Sequence, residues 1–118
     1  MPQRAIIARE LANLLGALAH PQRIRIVEEL RTTELDVNSI QQVLGISHSA
    51  VSQNLAVLRV HRLVRERREG RRVIYSLTNP ALAAWLLEGV SFLASELERN
   101  SEMKEAIDTV KELWGSGS

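Results

Sequence analysis

Apolar positions recur along most of this chain at the three- and four-residue spacing of a helix, and the pattern breaks once, in the middle. Ile7, Leu11, Leu14 and Leu18 predict an amphipathic first helix over residues 4–18. His20 and Pro21 mark a boundary, because proline suits a helix's first turn, and Ile24, Val27 and Leu30 carry a second helix to about Arg31. A shorter helix over residues 37–44 holds Ile40, Val43 and Leu44 and stops at Gly45. Ser47 is placed to cap a fourth helix that runs to about Val60, with Val51, Leu55 and Leu58 facing inward. The period then changes. Residues 63–67 and 72–77 are β-prone and flank a turn containing Gly70, which predicts a hairpin with charged tips. Asn79 and Pro80 open a long helix with Leu82, Leu86, Val90, Leu93 and Leu97 in one stripe. Trp85, Leu87 and Phe92 lie off that stripe, so the helix is apolar on more sides than one domain face needs, and part of it is expected to pack on a second subunit. Ser101 caps a final helix bearing Met103, Ile107, Val110 and Trp114.

The expected class is therefore α+β, mainly α with a small β-hairpin wing. With 118 residues the chain is read as one domain over residues 1–114 followed by a flexible tail, 115–118. Composition sharpens this in two ways. There is no cysteine, which removes disulfides, thiolate metal sites, cysteine nucleophiles and thiol switches together. The net charge of +1 conceals an uneven distribution. Residues 59–72 carry seven arginines against Glu66 and Glu69, a local excess of +5, whereas the first 58 residues balance and those from Asn79 onward sum to −4. A surface suited to polyanions is expected in the middle of the chain. No apolar run approaches the roughly 20 residues of a membrane span, and the N-terminus lacks a signal-peptide core, so a cytoplasmic location with no membrane partner is expected.

The element order is that of a helix-turn-helix followed by a β-wing. Its fourth helix would present His48, Ser49, Ser52 and Gln53 outward, all able to hydrogen-bond base edges or phosphates of double-stranded DNA. Gln53 is the leading candidate for reading a base, since an amide can bridge the donor and acceptor of adenine. Arg67, Arg68, Arg71 and Arg72 cluster at the hairpin turn, within reach of phosphates or a minor groove, and Arg59 adds a cation at the helix's end. Blander roles remain open for both features: a solvated helix face, and arginines that keep edge strands soluble.

The run from Leu14 through Gly16, His20, Pro21 and Arg23 to Val27 resembles the opening of the ArsR/SmtB family of repressors. The stretch Gly45–Arg59 resembles that family's recognition segment, and Leu63–Leu77 its wing. The likeness covers about residues 10 to 100. It implies a winged helix-turn-helix homodimer, joined through the first and the long C-terminal helices, that binds an inverted-repeat operator and is released by an inducer. Leu11 and Leu14, with Leu86, Val90, Leu93 and Leu97, would form the dimer joint, and base reading would fall on His48, Ser49, Ser52 and Gln53.

The chain departs from the family at its metal sites. Where many metal sensors of the family carry a Cys-x-Cys segment, residues 34–39 read Glu-Leu-Asp-Val-Asn-Ser, and residues 85–99 of the long helix contain no histidine. No metal ligands and no cofactor are assigned, although an oxygen- and nitrogen-ligand metal sensor stays an alternative. None of the three histidines has a second ligand at helical spacing: His20 is read as making a local structural bond, His48 as a DNA contact and His61 as a surface residue. An effector, whether small molecule or ion, is left unnamed. Catalysis is not expected, since the chain has no Gly-rich phosphate loop and only four aromatic residues with which to line a cleft. A winged module that binds protein or DNA without operator specificity is the other reading that composition permits.

Overall fold

A computed structural model describes residues 2–96 and 101–116. The element order is α1 (Pro2–Leu18), α2 (Pro21–Glu29), β1 (Leu35–Asp36), α3 (Val37–Leu44), α4 (His48–Val60), β2 (Val64–Glu69), β3 (Arg72–Leu77), α5 (Ala81–Glu96) and α6 (Ser101–Ser116). Two compact units divide the chain, Met1–Asn79 and Pro80–Ser118.

In the first unit the local signals act where the sequence places them. The His20 imidazole caps α2, its Nδ1 accepting from Gln22 N at 3.1 Å, which is the local bond expected of it. Gly45 ends α3 at φ 67°, a left-handed conformation that glycine adopts without a Cβ penalty. Ser47 Oγ accepts from Ala50 N at 3.1 Å and starts α4. Ile26, Val27, Ile40, Val51, Leu55 and Leu58 are fully buried, so α2, α3 and α4 share one core, which Val64, Ile74 and Leu77 extend to the sheet.

Three features go beyond the sequence reading. A short strand, β1, was not anticipated. It pairs antiparallel with β3 (Leu35 opposite Tyr75, Asp36 opposite Ile74) and makes the sheet three-stranded in the order β1-β3-β2. Two residues are too few for a period-two pattern to register. Second, α1 does not bury its stripe: Leu18 is buried, but Ile7 and Leu11 are exposed and Leu14 is half-buried. Third, α4 ends without glycine. His61 is its C-cap, Arg62 takes φ 61°, Arg62 N donates to Arg59 O and Leu63 N donates to Leu58 O, each at 2.9 Å. That pair of bonds is a Schellman closure with arginine in the left-handed position. Arg62→Gly is therefore expected to stabilise the protein by about 0.5–1 kcal/mol, the left-handed penalty less glycine's larger entropy loss. Urea unfolding checks it, and a lower midpoint for the variant would contradict it.

In the second unit α5 and α6 pack on each other, and Ile107 and Trp114 are buried. On α5 Leu86 and Val90 are half-buried, while Trp85, Phe92 and Leu93 are exposed. Helix α6 continues through Gly115 and Ser116. Leu97 of the expected dimer stripe and residues 117–118 of the expected tail lie outside the described residues. Among the described residues no helix is long and apolar enough to cross a membrane.

Candidate nucleic-acid interface

Helix α4 is amphipathic in a way that separates support from contact. Val51, Asn54, Leu55 and Leu58 are buried, and His48, Ser49, Ser52 and Gln53 form an exposed polar face over its first two turns. Ser49 Oγ lies 3.4 Å from Ser47 Oγ, whereas His48, Ser52 and Gln53 make no side-chain hydrogen bond among the described residues. Their donors and acceptors are available to a ligand. His61, by contrast, places its Nδ1 3.0 Å from Val57 O and belongs to the helix end.

Asn54 is the polar residue that sequence reasoning passed over. Its Nδ2 donates to Gln22 Oε1 at 2.8 Å and to Ala50 O at 2.9 Å, and its Oδ1 accepts from Arg23 Nη1 at 3.3 Å. Arg23 reaches on to the carbonyls of Ala17 and Gly16. A buried amide with both donors and its acceptor used costs little, and here it ties the exposed face of α4 to α2 and to the end of α1.

The wing presents its cations in two states. Among the described residues Arg68 and Arg71, on either side of the Gly70 turn, make no ion pair and no side-chain hydrogen bond. Arg67 contacts Glu69 and, at 3.1 Å, Glu34; Arg72 Nε lies 3.1 Å from Asp36 Oδ2; Arg59 Nη1 lies 2.9 Å from Glu66 Oε1. Nothing local marks Glu34 and Asp36 as partners, because the pairing of β1 with β3 brings them to the wing from more than 30 positions away. All these arginines are about half exposed or more, and surface pairs of this kind contribute only about 0–1 kcal/mol, so a phosphate can exchange for the carboxylate.

Asp36 has a further task. It caps α3, Oδ1 accepting from Ser39 N at 2.9 Å, and hydrogen bonds from Ser39, then Arg72, hold its carboxyl below the ordinary range. Tyr75 donates to Glu66 Oε2 at 2.9 Å, and burial, reinforced by that carboxylate, raises the phenol above its ordinary value. Among the described residues no three of His, Asp and Glu gather where they could hold a metal ion.

Residues 20–66 match the family described as bacterial regulatory protein, arsR family. Over 83 residues the chain is 40% identical to the biofilm growth-associated repressor of Xylella fastidiosa, covering 70% of this chain and 72% of that protein. The chain belongs to the ArsR family. The transcriptional repressor SmtB homolog of Synechocystis is 43% identical over 72 residues, 61% of this ArsR-family chain and 54% of that protein, so the match spans about half of that relative. Among solved structures, the homodimeric winged helix-turn-helix DNA-binding domain of Mb0332 from Mycobacterium bovis aligns with a TM-score of 0.72 at 27% identity, covering 86% of this chain and 94% of that one. The winged helix-turn-helix read from element order is thus the fold of this ArsR-family chain.

Proposed function

We propose that this chain is a homodimeric, sequence-specific transcriptional repressor, with residues 1–114 acting as one DNA-binding and dimerisation domain. The observation that carries the reading is the exposed polar face of α4 beside a hairpin whose tip bears two arginines that are unpaired among the described residues. Helix α4 enters a major groove, where His48, Ser49, Ser52 and Gln53 meet base edges or nearby phosphates. Arg68 and Arg71 take phosphates directly, Arg67 and Arg72 do so by exchange with their carboxylates, and Arg59 stands at the end of α4 on the same DNA-facing side, paired with Glu66. The exposed apolar rows on α1 and α5, Leu11 with half-buried Leu14 and Leu93 with half-buried Leu86 and Val90, suit a second copy of the chain. Two copies related by a two-fold axis read an inverted repeat. The protein works in the cytoplasm, where its DNA is, and has no catalytic role. Relatives named as repressors support the sign of regulation. A small-molecule or ion effector would act by binding one DNA affinity state better than the other.

Selection of bound fragments from genomic DNA at about 0.15 M salt tests the reading. Enrichment of one inverted repeat near a promoter is the expected result, and no enrichment over random fragments would leave a winged module that binds protein, or DNA without choosing sequence. On the selected operator Gln53→Ala is expected to lose about tenfold in discrimination at one base pair, at the lower end of what a bidentate amide contact contributes, while random DNA binds as before.

A further inference from the structure

Of the carboxylates on the wing, Glu66 alone among the described residues pairs with an arginine of α4. Its Oε1 takes Arg59 from the last turn of α4, and its Oε2 takes the hydroxyl of Tyr75 from β3, both at 2.9 Å, while Glu66 itself sits in β2 directly opposite Tyr75. Both oxygens are occupied. The Tyr75 bond restrains the carboxylate from turning away, so Arg59 faces a competitor fixed in place rather than a swinging side chain. Asp36 and Glu34, the carboxylates on Arg72 and Arg67, tie β1 and the residue before it to the other two strands, Asp36 capping α3 as well, and both leave α4 untouched.

We propose that Glu66 is a positioning residue that determines specificity: it withholds the Arg59 guanidinium from DNA phosphates and fixes the wing against the recognition helix. This rests on the DNA-binding reading above. Carboxylate and phosphate compete for the same two-pronged donor, and Arg59 is 52% exposed, so a phosphate can reach it once Glu66 lets go. Affinity for unrelated DNA is built from phosphate contacts, each contributing close to one unit of salt slope. Holding Arg59 back lowers that affinity. Operator binding needs helix and wing seated together, and the Arg59–Glu66–Tyr75 link keeps them so.

The test compares Glu66→Gln with the wild type on the selected operator and on a random duplex across a salt series. Glutamine keeps the size and an acceptor for Tyr75 and loses the charge that holds Arg59. Random-duplex affinity is expected to rise about threefold at 0.15 M salt, its salt slope to steepen by about one, and the operator-to-random ratio to fall. In Arg59→Gln/Glu66→Gln the gain on random DNA is expected to vanish. Thermal unfolding of each variant confirms that folded proteins are compared. An unchanged random-duplex slope in Glu66→Gln, equal gains on both duplexes, or a gain that survives loss of Arg59 overturns the proposal. A wild type that binds neither duplex overturns the DNA-binding reading itself.

Discussion

Replacing Arg68 and Arg71 together by alanine is expected to weaken binding to operator and to unrelated duplex alike, by on the order of tenfold or more at about 0.15 M salt, and to reduce the salt slope by about two. Both lie at the hairpin turn, and among the described residues neither has an acidic partner, so each meets a phosphate without first giving up an intramolecular contact. The matched pair Arg67→Ala and Arg72→Ala should cost less, because DNA must displace Glu34 and Glu69 from one and Asp36 from the other. Titrations of labelled duplex at four or five salt concentrations separate the two. If the carboxylate-bound pair proves the larger contributor, the free-cation account of the wing is wrong. Loss on operator alone, with random DNA unaffected, would instead move Arg68 and Arg71 from phosphates to bases.

Asn54→Leu is expected to cost about 1–3 kcal/mol of folding stability although leucine adds apolar volume at a site that is 7% exposed. The replacement strands the Gln22 Oε1 acceptor and the Arg23 Nη1 donor, and the Ala50 carbonyl loses its side-chain donor. A charged donor left without its acceptor in a half-buried setting is the larger part of the penalty. Urea or thermal unfolding measures it. A neutral result would mean that water or a shift of Arg23 toward the Gly16 and Ala17 carbonyls satisfies the stranded groups, and the network would then be dispensable to the seat of α4.

The elements that were legible in the sequence are those whose signals are local. A capping serine before Val51, a glycine after Leu44 and the β-prone run from Val73 to Leu77 behind the Gly70 turn each act within a few residues, and the helices and hairpin fall where these signals put them. The outward row on α4 was legible for the same reason, since helical spacing from buried Val51 and Leu55 fixes which residues point away. Long-range pairing was not legible. Leu35 and Asp36 become a strand because β3 offers them partners some forty positions later, and nothing in a two-residue segment announces that. The same distance hid the carboxylates that hold Arg67 and Arg72, so a count of charges saw one basic cluster where the fold makes two classes of arginine. Asn54 was missed for a different reason: its position four residues from Ala50 and one from Leu55 puts it on the inward side, where an amide is tolerable once Gln22 and Arg23 come to meet it.

The closure of α4 on Arg62 separates two kinds of inheritance. The direction in which the chain leaves the recognition helix is set by main-chain bonds, Arg62 N to Arg59 O and Leu63 N to Leu58 O, steadied by the Arg59–Glu66 pair, and not by what the exposed side chains of Val60 and His61 happen to be. Those side chains can therefore change without re-aiming the wing, and its charge can drift between lineages while its position is kept. A lineage facing a new operator can rewrite affinity at this corner one residue at a time, and the backbone keeps the register that the rest of the fold depends on.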